Sequence, residues 1–118
     1  MRHRKQKITL GREAAARQAL LRSLAESLIL HGSIRTTRGK ARALRLFVEP
    51  LVTRAKRNTL DDRRRLLAAL YTDSAVRKLL SEIAPGYKDR AGGYTRVIKL
   101  GGQGARNDAA EMVRIEFV

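Results

Sequence analysis

Apolar residues recur at helical spacing through the first quarter of the chain. Leu20, Leu24 and Leu28 follow one another at four-residue intervals, which is typical of a helix with one face in a hydrophobic core. This pattern predicts a first helix from about Arg12 to His31. Gly32 follows directly, so we expect it to end that helix in the left-handed backbone conformation.

A second apolar seam predicts a helix over Arg38–Arg57. Its members alternate three- and four-residue spacings, and they are Ala41, Leu44, Val48, Leu51 and Ala55. Pro50 lies inside this seam and has no backbone N–H to donate. We therefore expect a kink or a break at Pro50, with the helix resuming at Leu51.

Two shorter helices should follow. Thr59 and Asp62 have the spacing of a capping box, with Asp in place of the usual Glu, and they predict a short helix that begins at this point. Its apolar residues are Leu66, Leu67 and Leu70. A fourth helix is predicted from near Asp73, with Pro85 and Gly86 as its stop signal. Its apolar residues are Val76, Leu79, Leu80 and Ile83.

Three segments have the pattern of strands. The residues at 33–37 are β-leaning, those at 94–100 follow a double glycine, and those at 113–117 alternate apolar with charged. The last two segments are joined by a glycine-rich loop at 101–108, which suits an antiparallel pair. We predict an α+β fold in which about four helices pack on a small, mostly antiparallel three-stranded sheet. Residues 10–118 should form one domain, preceded by a basic extended arm at 1–9.

Charge narrows the choice of partner. The 118 residues carry a net charge of +15, and residues 1–60 hold 15 Lys and Arg against 3 acids. Such a charge opposes compaction, and it is best explained by a polyanionic partner, either nucleic acid or an anionic membrane surface. No cysteine is present, which excludes disulfides and thiolate metal sites. Without an apolar run of signal or membrane-span length, we expect a cytoplasmic protein.

The basic residues are grouped in three clusters, which are the arm, the outer face of the second helix and Arg63–Arg65. Arg predominates over Lys, and its guanidinium donates a fork of hydrogen bonds that matches phosphate oxygens. Gly92 and Gly93 are also flanked by basic residues, and the adjoining Tyr94 has two interpretations. It offers a flat face for base stacking, or it belongs to the core.

Catalysis is not indicated. The only histidines are His3, in the arm, and His31, at a helix end where a cation is favoured. The adjacent Asp61 and Asp62 do not face each other on a helix, so they are interpreted as helix-start charges. The glycines at 101–104 lack the Lys-Ser/Thr of a phosphate-binding loop. We therefore predict no enzyme, no cofactor and no metal site.

The order and spacing of several motifs resemble the family of bacterial large-subunit ribosomal protein seventeen, over nearly the whole chain. The matching stretches are Met1-Arg2-His3, Leu10-Gly11-Arg12, Ala19-Leu20-Leu21-Arg22, His31-Gly32-Ser33-Ile34-Arg35-Thr36-Thr37, Lys40-Ala41-Arg42-Ala43-Leu44-Arg45, Val76-Arg77-Lys78-Leu79, Ile83-Ala84-Pro85-Gly86-Tyr87, Gly92-Gly93-Tyr94-Thr95-Arg96-Val97 and Ile115-Glu116-Phe117-Val118. The resemblance implies an α+β fold and binding to large-subunit ribosomal RNA near the peptide exit region. It also implies a structural role without a cofactor, beside neighbouring ribosomal proteins.

Three positions depart from the family's pattern. Ala16 stands where the family usually has His, and Arg106-Asn107-Asp108 replaces its Arg-Lys-Gly-Asp turn. Arg114 stands where an apolar or small residue is common, so we expect it either at a sheet edge or beside a local partner.

We predict a non-catalytic structural protein of the large ribosomal subunit. The candidate RNA-binding residues are Arg2, His3, Arg4, Lys5, Lys7, Arg12, Arg22, Arg35, Arg38, Lys40, Arg42, Arg45, Lys88, Arg90, Tyr94 and Arg96. The alternatives are a free-standing, non-specific DNA-binding architectural protein, an RNA-cleaving enzyme that depends on His31 or Asp108, and, more distantly, a membrane-surface protein.

Overall fold

The computed structural model describes residues 13–101 and 111–118. Four α-helices and three strands lie in these ranges, which confirms the predicted α+β class. They are α1 (Ala14–His31), β1 (Ser33–Thr37), α2 (Arg38–Arg57), α3 (Leu60–Ala69), α4 (Asp73–Lys78), β2 (Thr95–Lys99) and β3 (Met112–Phe117). The predicted arm at 1–9, Arg12 and all but the first residue of the 101–108 loop lie outside the described residues.

The last strand of the chain lies at the centre of the sheet. The strand order is β1-β3-β2, and both pairs are antiparallel. Ile34 and Val97 both pair with Ile115, so the predicted third strand is confirmed. The expectation of an edge position for Arg114 is wrong, because β3 has a neighbour on each side. The alternative expectation, a local partner, is confirmed by Glu116, whose carboxylate lies 3.8 Å from the Arg114 guanidinium.

The core lies between the helices and one face of the sheet. α2 contacts all three strands, and α1 contacts β1. Fully buried side chains include Leu28 of α1, Leu44 and Val48 of α2, and Ile115 of β3. Each such side chain stabilises the fold by roughly 1.5–3 kcal/mol relative to an exposed one. α2 is therefore the helix that joins the sheet to the other helices.

Both predicted cap signals are confirmed. Gly32 has a φ of 81° and its N–H donates to the Leu28 carbonyl at 2.7 Å, which closes α1 in the left-handed conformation. The Thr59 hydroxyl accepts from the Asp62 N–H at 3.2 Å and donates to its carboxylate at 2.7 Å. Thr59 thus satisfies one of the free N–H groups at the start of α3.

Pro50 does not interrupt α2. The helix is continuous over Arg38–Arg57 with the proline inside it, so of the two predicted outcomes the break is wrong, and the kink stays a prediction. Pro50 leaves the Leu46 carbonyl without its helical partner, but Leu46 and Pro50 lie on the exposed side of the helix. Water can solvate that carbonyl there. On the opposite side, the buried Val48 and Val52 hold both halves of the helix on the core.

Pro85 and Gly86 are not the point where the fourth helix ends. The α-helical hydrogen bonding stops at Lys78, and the chain continues through a π-helical turn (Leu79–Ile83) and a 3₁₀ turn (Ala84–Tyr87). Pro85 lies in the first turn of the 3₁₀ segment, where its missing N–H costs nothing. The change of helical pitch buries Leu79, Ala84 and Tyr87 against the core.

Candidate nucleic-acid interface

A row of arginines runs along the exposed face of α2. Arg38, Arg42 and Arg45 are spaced i, i+4 and i+7, so they lie on one side of the helix. All three are exposed, while the apolar seam of α2 is buried on the other side. We call Arg38, Arg42 and Arg45 the α2 row. Core packing fixes the orientation of the helix and therefore presents these guanidinium groups to solvent.

The α2 row is only partly neutralised by neighbouring carboxylates. Arg38 lies 3.4 Å from Glu111, and Arg45 lies 3.7 Å from Glu49. Arg42 has no ion-pair partner among residues 13–101 and 111–118. Exposed ion pairs of this kind contribute at most about 1 kcal/mol, so the same guanidinium groups can exchange a carboxylate for a phosphate at little cost.

A groove connects the α2 row to the double-glycine segment. It has a volume of about 610 Å³. Arg45, Arg54 and Arg57 line it from α2, and Ala91 and Gly92 line it from the opposite side. The structure thus brings together two of the regions that the sequence singled out, and it adds Arg54 and Arg57, which were not among the candidate residues.

Asp62 forms ion pairs with both Arg54 and Arg57. Its carboxylate lies 3.0 Å from the Arg57 guanidinium and 3.6 Å from that of Arg54. The hydrogen bond from the Thr59 hydroxyl, together with the positive charge of Arg57, lowers the pKa of Asp62 below its ordinary value. Two guanidinium groups share one buried carboxylate, so an excess positive charge faces the groove. Arg57 lies on the exposed side of α2, and only the fold shows that Asp62 positions it.

Lys56 ties the double-glycine segment to α2. Its ammonium donates to the Tyr94 hydroxyl at 3.0 Å and to the Arg90 carbonyl. The same tyrosine hydroxyl donates to the Arg90 carbonyl at 3.2 Å. The Lys56 hydrogen bond lowers the pKa of Tyr94. These contacts hold the backbone on either side of Gly92 and Gly93 against the helix.

Tyr94 is a core residue. Only 1% of it is exposed, and its ring packs against that of Tyr87, with ring centroids 5.2 Å apart. The structure therefore contradicts the expectation that the Tyr94 ring stacks on a base, because a stacking platform must present a face to solvent. Tyr87 is also buried, and its hydroxyl donates to the Val118 carbonyl at 2.6 Å. Burial raises the pKa of Tyr87.

The remaining candidate residues are dispersed over the surface. Arg22 lies on α1 with its guanidinium 5.7 Å from the centroid of the Tyr71 ring, away from the groove residues. Lys40 is half-buried on α2, and Lys88 is exposed and lines a second groove of about 480 Å³. Arg90 is exposed and its guanidinium donates to the Gly92 carbonyl.

Arg35 and Arg96 lie on the sheet, on the face that α2 does not cover. The other six candidates lie outside the described residues, and they are Arg2, His3, Arg4, Lys5, Lys7 and Arg12.

The acidic residues at the start of α3 have structural roles. Both lie in the first turn of the helix, where the Asp62 carboxylate accepts from the hydroxyl of the capping Thr59 and Asp61 forms an ion pair with Arg65 at 3.0 Å, which confirms their interpretation as helix-start charges. Within residues 13–101 and 111–118, no three His, Cys, Asp or Glu side chains lie close enough to hold a metal ion. None of the helices in those same ranges combines the length and the apolar character that crossing a membrane requires.

Comparison with known proteins identifies the family. The model of the family described as ribosomal protein L17 matches residues 20–118. The chain belongs to this family. A large ribosomal subunit protein bL17 of Hydrogenobaculum is 48% identical over 118 residues, with all of this chain and 99% of the relative covered. The bL17 protein of Nitratidesulfovibrio vulgaris is also 48% identical, with 99% of this chain and 87% of the relative covered.

The bL17 protein of Salinibacter ruber is a longer relative. It is 48% identical over all 118 residues of the chain, which spans 59% of its length. Membership of the L17 family confirms the resemblance stated from the sequence motifs. It also confirms that the chain is a ribosomal protein and not an enzyme, since this is a family of ribosomal structural proteins.

Proposed function

We propose that this chain is a structural constituent of the large subunit of the cytoplasmic ribosome, and that it binds large-subunit ribosomal RNA. The observation that carries the proposal is the α2 row beside the basic groove. Arginines on one helix face, together with Arg54 and Arg57, present several guanidinium groups within one continuous region. Phosphate oxygens are the acceptors that such forks match best.

The basic groove supports contact with the backbone of folded RNA. Arg45, Arg54 and Arg57 line one side, and the exposed Gly92 on the other side carries no side chain that would keep a phosphate at a distance. Because the aromatic rings of Tyr87 and Tyr94 are buried, this region recognises the sugar–phosphate backbone by shape and charge instead of stacking bases.

The parts of the proposal that concern the arm and the bound position rest on the sequence. The predicted arm at 1–9 extends the contact into the RNA, and the bound position lies near the peptide exit region beside neighbouring ribosomal proteins, as the family resemblance implies. In this role the protein stabilises folded RNA and performs no chemistry.

Co-sedimentation tests this function. Lysate containing the tagged chain is centrifuged through sucrose gradients in low salt and in moderate salt. We expect the chain to follow the large subunit at about one copy per particle and to resist the moderate salt wash. A chain that stays at the top of the gradient, or that follows the chromosome, would contradict the proposal and favour the DNA-binding alternative.

A charge-matched pair of variants locates the interface. We expect Arg42→Gln/Arg45→Gln to reduce the amount of chain that remains on the subunit after the salt wash. The control is Arg65→Gln/Arg77→Gln, which removes the same charge from α3 and α4, at residues that neither belong to the α2 row nor line the groove. Equal retention of the two variants would exclude the α2 row as the contact.

A further inference from the structure

The outer face of the sheet carries one arginine from each strand. Arg35 lies on β1, Arg114 on β3 and Arg96 on β2. Along β3, the buried Val113 and Ile115 alternate with the exposed Arg114, so Arg114 points away from the helices. The strand register places the other two arginines on the same side. We call Arg35, Arg96 and Arg114 the sheet-face arginines.

Two of these arginines face each other across neighbouring strands. Arg35 and Arg114 are direct partners in the antiparallel register. Like charges in directly opposite positions of a sheet are destabilising, and both of these residues are exposed. The free protein therefore has a local repulsion on this face, which an anionic partner would relieve.

Glu116 compensates only part of this charge. One of its carboxylate oxygens lies 3.2 Å from the Arg96 Nε and 3.8 Å from an Arg114 terminal nitrogen. Glu116 thus contacts two of the three guanidinium groups, and the three sheet-face arginines together with this carboxylate carry a net charge of +2. The shared carboxylate also orients Arg96 and Arg114 beside each other, so less side-chain freedom is lost when they bind a ligand.

We infer that the sheet-face arginines form a second phosphate-binding surface, which contacts the RNA backbone separately from the α2 row. The inference rests on the proposed function, because it takes RNA as the partner. No aromatic residue occupies an outward position of β1, β2 or β3, and the apolar Ile98 and Met112 are half-buried. The exposed surface is therefore cationic and suits phosphates instead of stacked bases.

Arg114 is the residue that this inference adds. It was not among the candidates from the sequence, where it stood out only as a departure from the family's pattern. With 44% of its side chain exposed, it occupies the centre of the face between Arg35 and Ile98. Its side chain points away from the core, and a polyanion lying across the three strands would pass over it.

Salt-dependent binding to RNA tests the inference. The full-length chain is titrated onto deproteinised bacterial large-subunit ribosomal RNA, with duplex DNA as a second ligand, over a series of salt concentrations. For Arg35→Gln/Arg114→Gln we expect a salt slope shallower by about 1–2 and an affinity roughly tenfold lower near 0.1 M salt. Because a like-charge pair is removed, we expect the Tm of the free protein to stay the same or to rise.

Two controls separate binding from folding and from net charge. Arg65→Gln/Arg77→Gln has the same net charge and should keep the wild-type slope. Arg35→Lys/Arg114→Lys keeps the charge of the face and should restore most of the slope that the Gln variant loses. The inference would be overturned if Arg35→Gln/Arg114→Gln had the same salt slope as the Arg65→Gln/Arg77→Gln control. It would also be overturned if the shallower slope of the Gln variant came with unfolding and was not restored in the Lys variant.

The failure of the proposed function would look different. In that case the wild-type chain would bind the ribosomal RNA no more tightly than duplex DNA. The inference about the sheet-face arginines would then fail as well, because it takes RNA as the partner. If the wild type prefers the RNA and the variants still do not differ, only the sheet-face inference fails.

Discussion

The ammonium of Lys56 lies 3.0 Å from the hydroxyl of Tyr94 and 5.2 Å from the centroid of its ring. Lys56 lies in the last turn of α2, and Tyr94 immediately follows the double glycine. This contact joins the helix that carries the α2 row to the segment that lines the opposite side of the groove. The segment on the opposite side of the groove is therefore held by a buried tyrosine that is itself one of the residues lining the groove.

Replacing Tyr94 by Phe tests this connection. The ring and its packing are retained, but the hydrogen bonds to Lys56 and to the Arg90 carbonyl are lost. We expect the free energy of unfolding to fall by about 0.5–1.5 kcal/mol in urea denaturation. Tyr71→Phe, at an exposed tyrosine, should leave it unchanged, and equal stabilities of the two variants would show that the Tyr94 hydroxyl is not coupled to the fold.

Asp62 should make the stability of the protein depend on acid pH. Its pKa is lowered in the folded state, first by the Thr59 hydrogen bond and then by Arg57. The unfolded chain therefore holds the Asp62 proton at higher pH than the folded chain does. The resulting stabilisation is fully present above the ordinary Asp pKa of about 3.9, and it is lost as the pH falls through the folded value.

We accordingly expect Asp62→Asn to have a lower Tm than the wild type at neutral pH. The difference should stay constant down to about pH 5 and shrink as the pH falls below about 4. Asp61→Asn, at an exposed position four residues before its partner Arg65, should cause a smaller loss of Tm. If the Tm difference between Asp62→Asn and the wild type did not change with pH, this account would be contradicted.

Gly32 and Gly86 form a matched pair for testing the α1 cap. An added Cβ would meet no atom within 4 Å at either position, but only Gly32 has a positive φ. Gly32→Ala should therefore cost about 1–2 kcal/mol through backbone strain alone. Gly86→Ala should be neutral or stabilise by up to about 1 kcal/mol, because it reduces the freedom of the unfolded chain. Equal unfolding free energies for the two variants would show that Gly32 relaxes out of the left-handed region.

Deletion of residues 2–7 tests the arm that the sequence predicts. Four basic residues lie in this segment, so its removal should weaken binding to large-subunit RNA and make the salt slope shallower. All six deleted residues are polar or charged, so the deletion removes no apolar side chain and the Tm should change little. An unchanged salt slope would show that the segment does not contact phosphates.

The amino-acid sequence alone determined the order of the helices and strands, and it predicted a polyanionic partner. Spacing at three and four residues identified α1 and α2, and alternation identified β3, because each periodicity reflects which side of an element is buried. Gly32 and Thr59 marked helix ends for local reasons that need no tertiary contact. The excess of Arg indicated a polyanion, since charge does not depend on the fold.

Only the tertiary structure decided how distant residues combine. Tyr94 is buried against Tyr87, and Lys56, 38 positions earlier, provides a hydrogen-bond partner for its hydroxyl; the sequence pattern left the choice between core and surface open. Pro50 is accommodated because packing of its buried neighbours outweighs one lost hydrogen bond. Arg35 and Arg114 meet because the last strand pairs with the first. Strand order and register arise from packing over the whole chain, so the sheet-face arginines were visible only once the fold was known.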